Sequence, residues 1–136
     1  MNWTLEVVVP VSDVDRTKTF YAEKLGFDLD HDTRISEDYH IVQLTHPGSG
    51  CSIVVGKGLV EMKPGSFKGL QLVVNDIRAA RAQLVERGVE ASEVLVVGAS
   101  GPRPARGGEY LDNVGFVLFN DPDGNGWAVQ QISARD

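Results

Sequence analysis

The chain of 136 residues repeats itself, and that repeat constrains its fold more than any other feature. The segment Val7-Val8-Val9-Pro10-Val11-Ser12-Asp13-Val14-Asp15-Arg16 is an apolar run that ends on a helix-capping signal. Leu70-Gln71-Leu72-Val73-Val74-Asn75-Asp76-Ile77-Arg78-Ala79 does the same. Aligning Val11 with Val74 puts Asp13 on Asp76, Val14 on Ile77 and Glu23-Lys24 on Glu86-Arg87. With one residue of slippage Gly26 falls on Gly88, so the match runs through strand, cap, helix and helix stop. A unit this short cannot bury both faces of a sheet alone, so two such units must pair.

Each piece has a physical reading. Thr4 to Val11 is rich in β-branched residues and bounded by a turn signal, which predicts a strand. Asp13 and Asp76 can each accept hydrogen bonds from the free N–H groups of a first helical turn. Val14, Phe20, Tyr21 and Leu25 form one apolar stripe at helical spacing; Ile77, Ala80, Leu84 and Val85 form the other. Gly26 and Gly88 suit the left-handed position that ends a helix. Three strand-like stretches follow each helix: Phe27–His31, His40–Leu44 and Ser52–Val55, then Glu90–Val97, Gly115–Phe119 and Trp127–Ile132. The expected class is therefore α+β, with two tandem βαβββ modules at about 1–62 and 66–136 in a single domain.

Charge and composition narrow the function. A net charge of −6 with scattered Lys and Arg argues against nucleic acid as a partner. Cys51 is the only cysteine, which leaves no internal disulfide and no Cys-rich zinc cage; it reads as a buried strand residue. No apolar run approaches the roughly 20 residues of a membrane span, and the first residues lack the basic and apolar regions of a signal peptide. The expectation is a cytoplasmic protein with no membrane partner.

The residues also resemble a known family. Pro10-Val11-Ser12-Asp13-Val14-Asp15-Arg16, then Phe20-Tyr21 and Leu25-Gly26-Phe27, are similar to the first-module pattern of the vicinal oxygen chelate superfamily, which unites glyoxalases, bleomycin-resistance proteins and extradiol dioxygenases. Val74-Asn75-Asp76-Ile77 and Phe119-Asn120-Asp121-Pro122-Asp123-Gly124-Asn125 extend the resemblance over nearly the whole chain. It implies an incomplete barrel with a concave ligand pocket, and a homodimer. It implies no single reaction, so function must be argued from the site.

Members of that superfamily commonly hold a divalent metal on the concave face through His, Gln or Glu. The resemblance places Glu6 and Gly69 at two of those positions and Ala128 at a third, with Ser52, Ile53 or Val54 at the remaining one. Glycine and alanine offer no side-chain ligand, and a catalytic site ordinarily needs three from the protein. The expectation is thus no metal and no cofactor; a rebuilt site would have to recruit Gln71 and His40. Glu6 remains as a candidate general base, or as a partner for a cationic or hydroxylated ligand. His31 reads as a solvated strand end and His46 as an exposed turn residue.

Without a metal, binding rests on apolar burial and a few placed hydrogen bonds. Candidate ligand-binding residues are Glu6, Val8, Val54, Gln71, Phe116, Leu118, Ala128 and Gln130, with Trp3 and Tyr39 at the mouth. The Gly- and Pro-rich segment from Val97 to Tyr110 reads as a long irregular loop that could bring Tyr110 or its arginines over a ligand. The expected function is metal-independent binding of a hydrophobic or aromatic small molecule, with sequestration of a natural product or antibiotic as the expected role. The alternatives are a lyase, isomerase or dioxygenase with a rearranged metal site, and a metal-free enzyme using Glu6 as base.

Overall fold

A computed structural model of the protein describes residues 3–133. It forms two compact units, one of residues up to Phe67 together with Asp121–Asn125, the other of Lys68–Asn120 with the residues from Gly126 onward. The first unit runs β1 (Leu5–Pro10), α1 (Val14–Thr19), β2 (Asp28–Ser36), β3 (Tyr39–Thr45) and β4 (Cys51–Gly56). Its sheet order is β1-β4-β3-β2, with β1 parallel to β4 and the other pairs antiparallel. The second unit runs β5 (Leu70–Val74), α2 (Ile77–Glu86), β6 (Leu95–Gly98), β7 (Gly101–Pro104), β8 (Gly115–Asn120) and β9 (Gly126–Gln131). Its order is β5-β9-β8-β6-β7, again with one parallel pair at the edge. The two sheets are unclosed and repeat one βαβββ plan, to which the second unit adds β7.

The helix signals act as the sequence requires. Asp13 accepts from the Arg16 N–H and Asp76 from the Ala79 N–H, while Gly26 and Gly88 take positive φ at the helix ends. Beyond Thr19 the first helix widens into a π-helical stretch, Phe20–Lys24, closed by the Leu25 N–H donating to the Phe20 carbonyl at 3.2 Å. Neighbouring aromatics cannot both point inward on a regular helix without cost. The widened turn lets Phe20, Tyr21 and Leu25 all be buried with Val9, Val42, Leu44, Ile53 and Val55.

Two segments depart from the sequence reading. β2 extends to Ser36 rather than stopping at His31, and every residue in it is exposed. An edge strand with water on both faces carries no apolar alternation, so periodicity could not find its end. The stretch 97–110 is also more regular than expected. Val96 pairs with Arg103 and Gly98 with Gly101, making β6–β7 a tight hairpin in which Gly101 has φ of 89°. Pro102 and Pro104 sit opposite Val97 and Leu95, where the strand nitrogens point away from β6. The strand expected from Glu90 starts only at Leu95; before it, Ser92 holds Leu118 by two hydrogen bonds of 2.9 Å.

The loop between β8 and β9 packs with the first unit through one carboxylate. Asp121 Oδ1 accepts from the backbone N–H groups of Asp123, Gly124 and Asn125 at 2.9–3.0 Å. Its Oδ2 accepts from the Tyr21 hydroxyl at 2.7 Å and the Asn125 amide at 2.8 Å. Asn125, fully buried, also donates to the Pro10 carbonyl and accepts from the Phe67 N–H. Asp123 takes the Ser12 N–H and hydroxyl and pairs with Arg16 at 3.2 Å. Gly65 lies so close that a Cβ there would stand 2.0 Å from the Asp123 carbonyl oxygen.

Replacing Asp121 by Asn leaves an N–H₂ facing donors. Asp121→Asn is expected to lower the unfolding free energy by about 2–3 kcal/mol, and Tyr21→Phe by roughly 1 kcal/mol. Urea denaturation followed by Trp fluorescence checks the ranking; equal losses would contradict the hub role given to the carboxylate.

Candidate ligand-binding faces

Successive side chains of a strand point to opposite faces, so the register sorts every candidate residue. In the second unit Leu70, Leu72, Val117, Phe119, Trp127 and Val129 belong to one face, which α2 covers through Ile77. The opposite face carries Gln71, Val73, Phe116, Leu118, Ala128 and Gln130 in adjoining cross-strand rows: Gln71–Ala128–Leu118 and Val73–Gln130–Phe116. Among the described residues of this unit no helix covers this face, where Leu118 is 47 % exposed and Val73 37 %.

At the end of the sheet where β5 and β9 begin and β8 finishes, Gln71, Leu118 and Ala128 line a depression of about 420 Å³ together with Leu70, Phe119 and Trp127 of the covered face. Gly69 and Gly126 contribute backbone without side chains, and Lys68, Glu90 and Asn120 stand at the depression as well. Sequence reading left out Val73 and Asn120. Each lies two residues from a candidate on the same strand, so alternation alone would have found them. Tyr110 is elsewhere. It is 78 % exposed and lines a separate polar depression with Asn75, Asp76, Arg78 and Gln131.

In the first unit the sheet face opposite α1 carries Glu6 in register with Ser52, and Val8 in register with Val54 and Gln43. Ser52 meets the Thr45 hydroxyl at 2.6 Å, and Thr45 in turn donates to Asp30. Ile53 belongs to the other face and is core. Tyr39 opens β3 at 46 % exposure, Trp3 is 81 % exposed, and Cys51 is half-buried at the start of β4.

The histidines are structural. His40 is buried on the helix side of β3, where its Nε2 meets Asp32 at 2.7 Å and its Nδ1 meets Arg34 at 3.1 Å. A guanidinium can only donate, so Nδ1 accepts and Nε2 carries the hydrogen given to Asp32. Lys18 hydrogen-bonds the same carboxylate at 2.6 Å and, with His40, holds the Asp32 carboxyl below the usual range. His46, read from sequence as exposed, is half-buried. Its ring packs edge-on against Phe27, and Nε2 meets the Leu25 carbonyl at 3.1 Å.

Of the two arginines in the 97–110 segment, Arg103 is engaged through its guanidinium and Arg106 through its backbone. Arg103 clasps Glu109 with two hydrogen bonds of 3.1 and 2.5 Å, and the Arg106 N–H adds a third at 2.9 Å. Together they lower the Glu109 carboxyl from its ordinary 4.5 to about 2.

Comparison with known proteins agrees with this architecture. The family model of the Glyoxalase/Bleomycin resistance protein/Dioxygenase superfamily matches residues 3–129. The chain belongs to that superfamily. TnmS3, an antibiotic binding protein from Streptomyces sp. CB03234, is 33 % identical with a TM-score of 0.73, the match covering 98 % of each chain. A glyoxalase/bleomycin resistance protein from the same organism is 32 % identical, over 95 % of this chain and 100 % of that one, with a TM-score of 0.71. A superfamily member from Sphaerobacter thermophilus DSM 20745 is 25 % identical over 96 % and 98 %, with a TM-score of 0.72. No curated protein matches the sequence significantly. Among the described residues, no helix is long and apolar enough to cross a membrane.

The donor set does not fit the divalent metal that the superfamily commonly holds. In the second unit the corresponding positions are Gly69 and Ala128, which have no donor atom, and their neighbour is the neutral amide of Gln71. In the first unit Glu6 is joined by hydroxyl groups rather than imidazoles. His40 is turned to the opposite side of its sheet. Among the described residues no three His, Cys, Asp or Glu side chains gather closely enough to hold an ion.

Because the Glu109 carboxyl is lowered in the folded state, its contribution to stability is complete above about pH 4.5 and is lost as the pH falls toward 2. Urea midpoints of Glu109→Gln and the parent protein should therefore differ at pH 6 and converge near pH 2.5. A gap that stays constant would contradict the Arg103–Glu109 clasp.

Proposed function

We propose that the protein is a metal-independent binder of an apolar or aromatic small molecule, holding it on the open face of β5, β9 and β8. The observation that carries this reading is the depression around Gln71, Leu118 and Ala128, which offers apolar surface and amide groups where a metalloenzyme needs ligands. An apolar wall with a few polar groups is the usual make-up of a small-molecule site. TnmS3, similar along 98 % of its length, is an antibiotic binding protein, which supports sequestration of an antibiotic or related natural product as the role. Glu6, Val8 and Val54, on the open face of the first sheet, with Tyr39 at the start of β3, are candidate ligand-contact residues of the first unit taken by itself.

Two measurements test the reading together. Metal analysis after incubation with zinc, nickel, manganese or iron, followed by desalting, is expected to give near zero metal per chain. A thermal-shift screen of aromatic antibiotics should contain a compound that raises Tm without being turned over. At a hundredfold excess over Kd a ligand adds about 2.7 kcal/mol, on the order of 10 °C for a domain of this size. Stoichiometric metal, or turnover lost on chelation, would replace the proposal with a metalloenzyme. Metal-free turnover abolished in Glu6→Gln would make Glu6 the base of a reaction.

A further inference from the structure

Gln130 lies at the centre of the open face of the second sheet, between Val73 on β5 and Phe116 on β8. Its amide is not free to turn. The side-chain group meets the backbone carbonyl of Asn113 at 3.0 Å. A carbonyl can only accept, so the atom facing it must be Nε2. The other end of the amide, Oε1, is then the atom left for a partner on a surface whose remaining side chains are Val73, Phe116, Leu118, Ala128 and the amide of Gln71.

The carbonyl that imposes this orientation is itself held. Asn113 is the one described non-glycine residue with positive φ, at 67°, in the turn that leads into β8. Its N–H donates to the Gln131 carbonyl at 2.8 Å, and the Val114 and Gly115 N–H groups both donate to Leu111. A Cβ at Gly115 would stand 2.9 Å from the Leu111 side chain, so glycine is what lets the turn pack this closely. A left-handed non-glycine residue costs energy, and such strain persists where surrounding structure over-determines it. Here its effect is to aim one carbonyl at Gln130.

We infer that Gln130 is a specificity-determining acceptor, and that the ligand of this face is a flat apolar molecule carrying a hydrogen-bond donor, a phenol or alcohol O–H or an amide N–H. The inference rests on the binding face proposed above, where Gln130 stands one cross-strand row from the Gln71–Ala128–Leu118 depression, and goes further by assigning the polarity of one contact there. An oxygen set among apolar side chains gains a partner from such a ligand and loses its water to any other. A site built around a hydrogen bond therefore discriminates against the analogue that lacks the donor.

The test uses a pair of probes that differ in one donor, 1-naphthol and 1-methoxynaphthalene, titrated into the ¹⁵N-labelled protein and followed by amide shifts on β8 and β9. In the parent protein 1-naphthol should bind about three- to tenfold more tightly, the range a neutral hydrogen bond contributes. In Gln130→Met the two probes should bind equally. Asn113→Gly keeps the left-handed turn and its carbonyl, so it should keep the preference; it serves as a second variant if Gln130→Met folds poorly. Equal binding by the parent protein, or a preference that survives in Gln130→Met, would overturn the acceptor role while leaving the binding face standing. If neither probe shifts β8 or β9 resonances, the binding face itself is overturned and the acceptor role with it.

Discussion

Five hydrogen bonds converge on the Asp121 carboxylate, three from its own loop and two from the Tyr21 and Asn125 side chains. A buried carboxylate is tolerated only when its lone pairs are met, and here donors meet both oxygens. The arrangement joins distant parts of the chain, since Tyr21 belongs to the first helix and Asp121 follows β8. β8 and β9 must enter and leave this loop in fixed register. That register decides which of their side chains are core and which face outward, because a slip of one residue would exchange the two sets.

This dependence explains how much could be read from sequence. The strand at Thr4–Val11, the capping aspartates Asp13 and Asp76 and the glycine stops rest on local chemistry, and local chemistry survives folding. The grouping of Phe116, Leu118, Ala128 and Gln130 on one face follows from alternation once the strands are placed. β2 was legible only in part because its backbone ladder to β3, rather than apolar burial, holds it, with the surface pairs Lys18–Asp32 and Arg34–Asp15 beside it. The β6–β7 hairpin was hidden because glycine and proline, which usually mark loops, also build tight hairpins and edge strands. Tyr110 lies on no strand, so period two could not place it. The orientation of Gln130 depends on a backbone turn 17 residues earlier, beyond the reach of any local pattern.

The second sheet shows how one scaffold can pass from coordination to recognition. The resemblance assigns metal-ligand positions to Gly69, just before β5, and to Ala128 on β9, neither of which has a donor side chain; the polar groups that line the depression are Lys68, Gln71, Glu90 and Asn120. Amides such as Gln71 and Gln130 can both give and accept hydrogen bonds, so their orientation, rather than their charge, selects among ligands. Selection of that kind depends on a rigid surrounding, which the Leu111–Gly115 turn supplies.

Pro102 and Pro104 bear on solubility. An edge strand ordinarily offers a row of outward N–H groups, and another chain can dock there as an added strand. On β7 the outward nitrogens belong to two prolines, which have no hydrogen to give. The sheet therefore ends at β7 by chemistry rather than by length. The same sheet leaves Leu118 and Val73 partly exposed. Closing its β7 edge deprives that apolar surface of one companion interaction from which fibrous self-association grows.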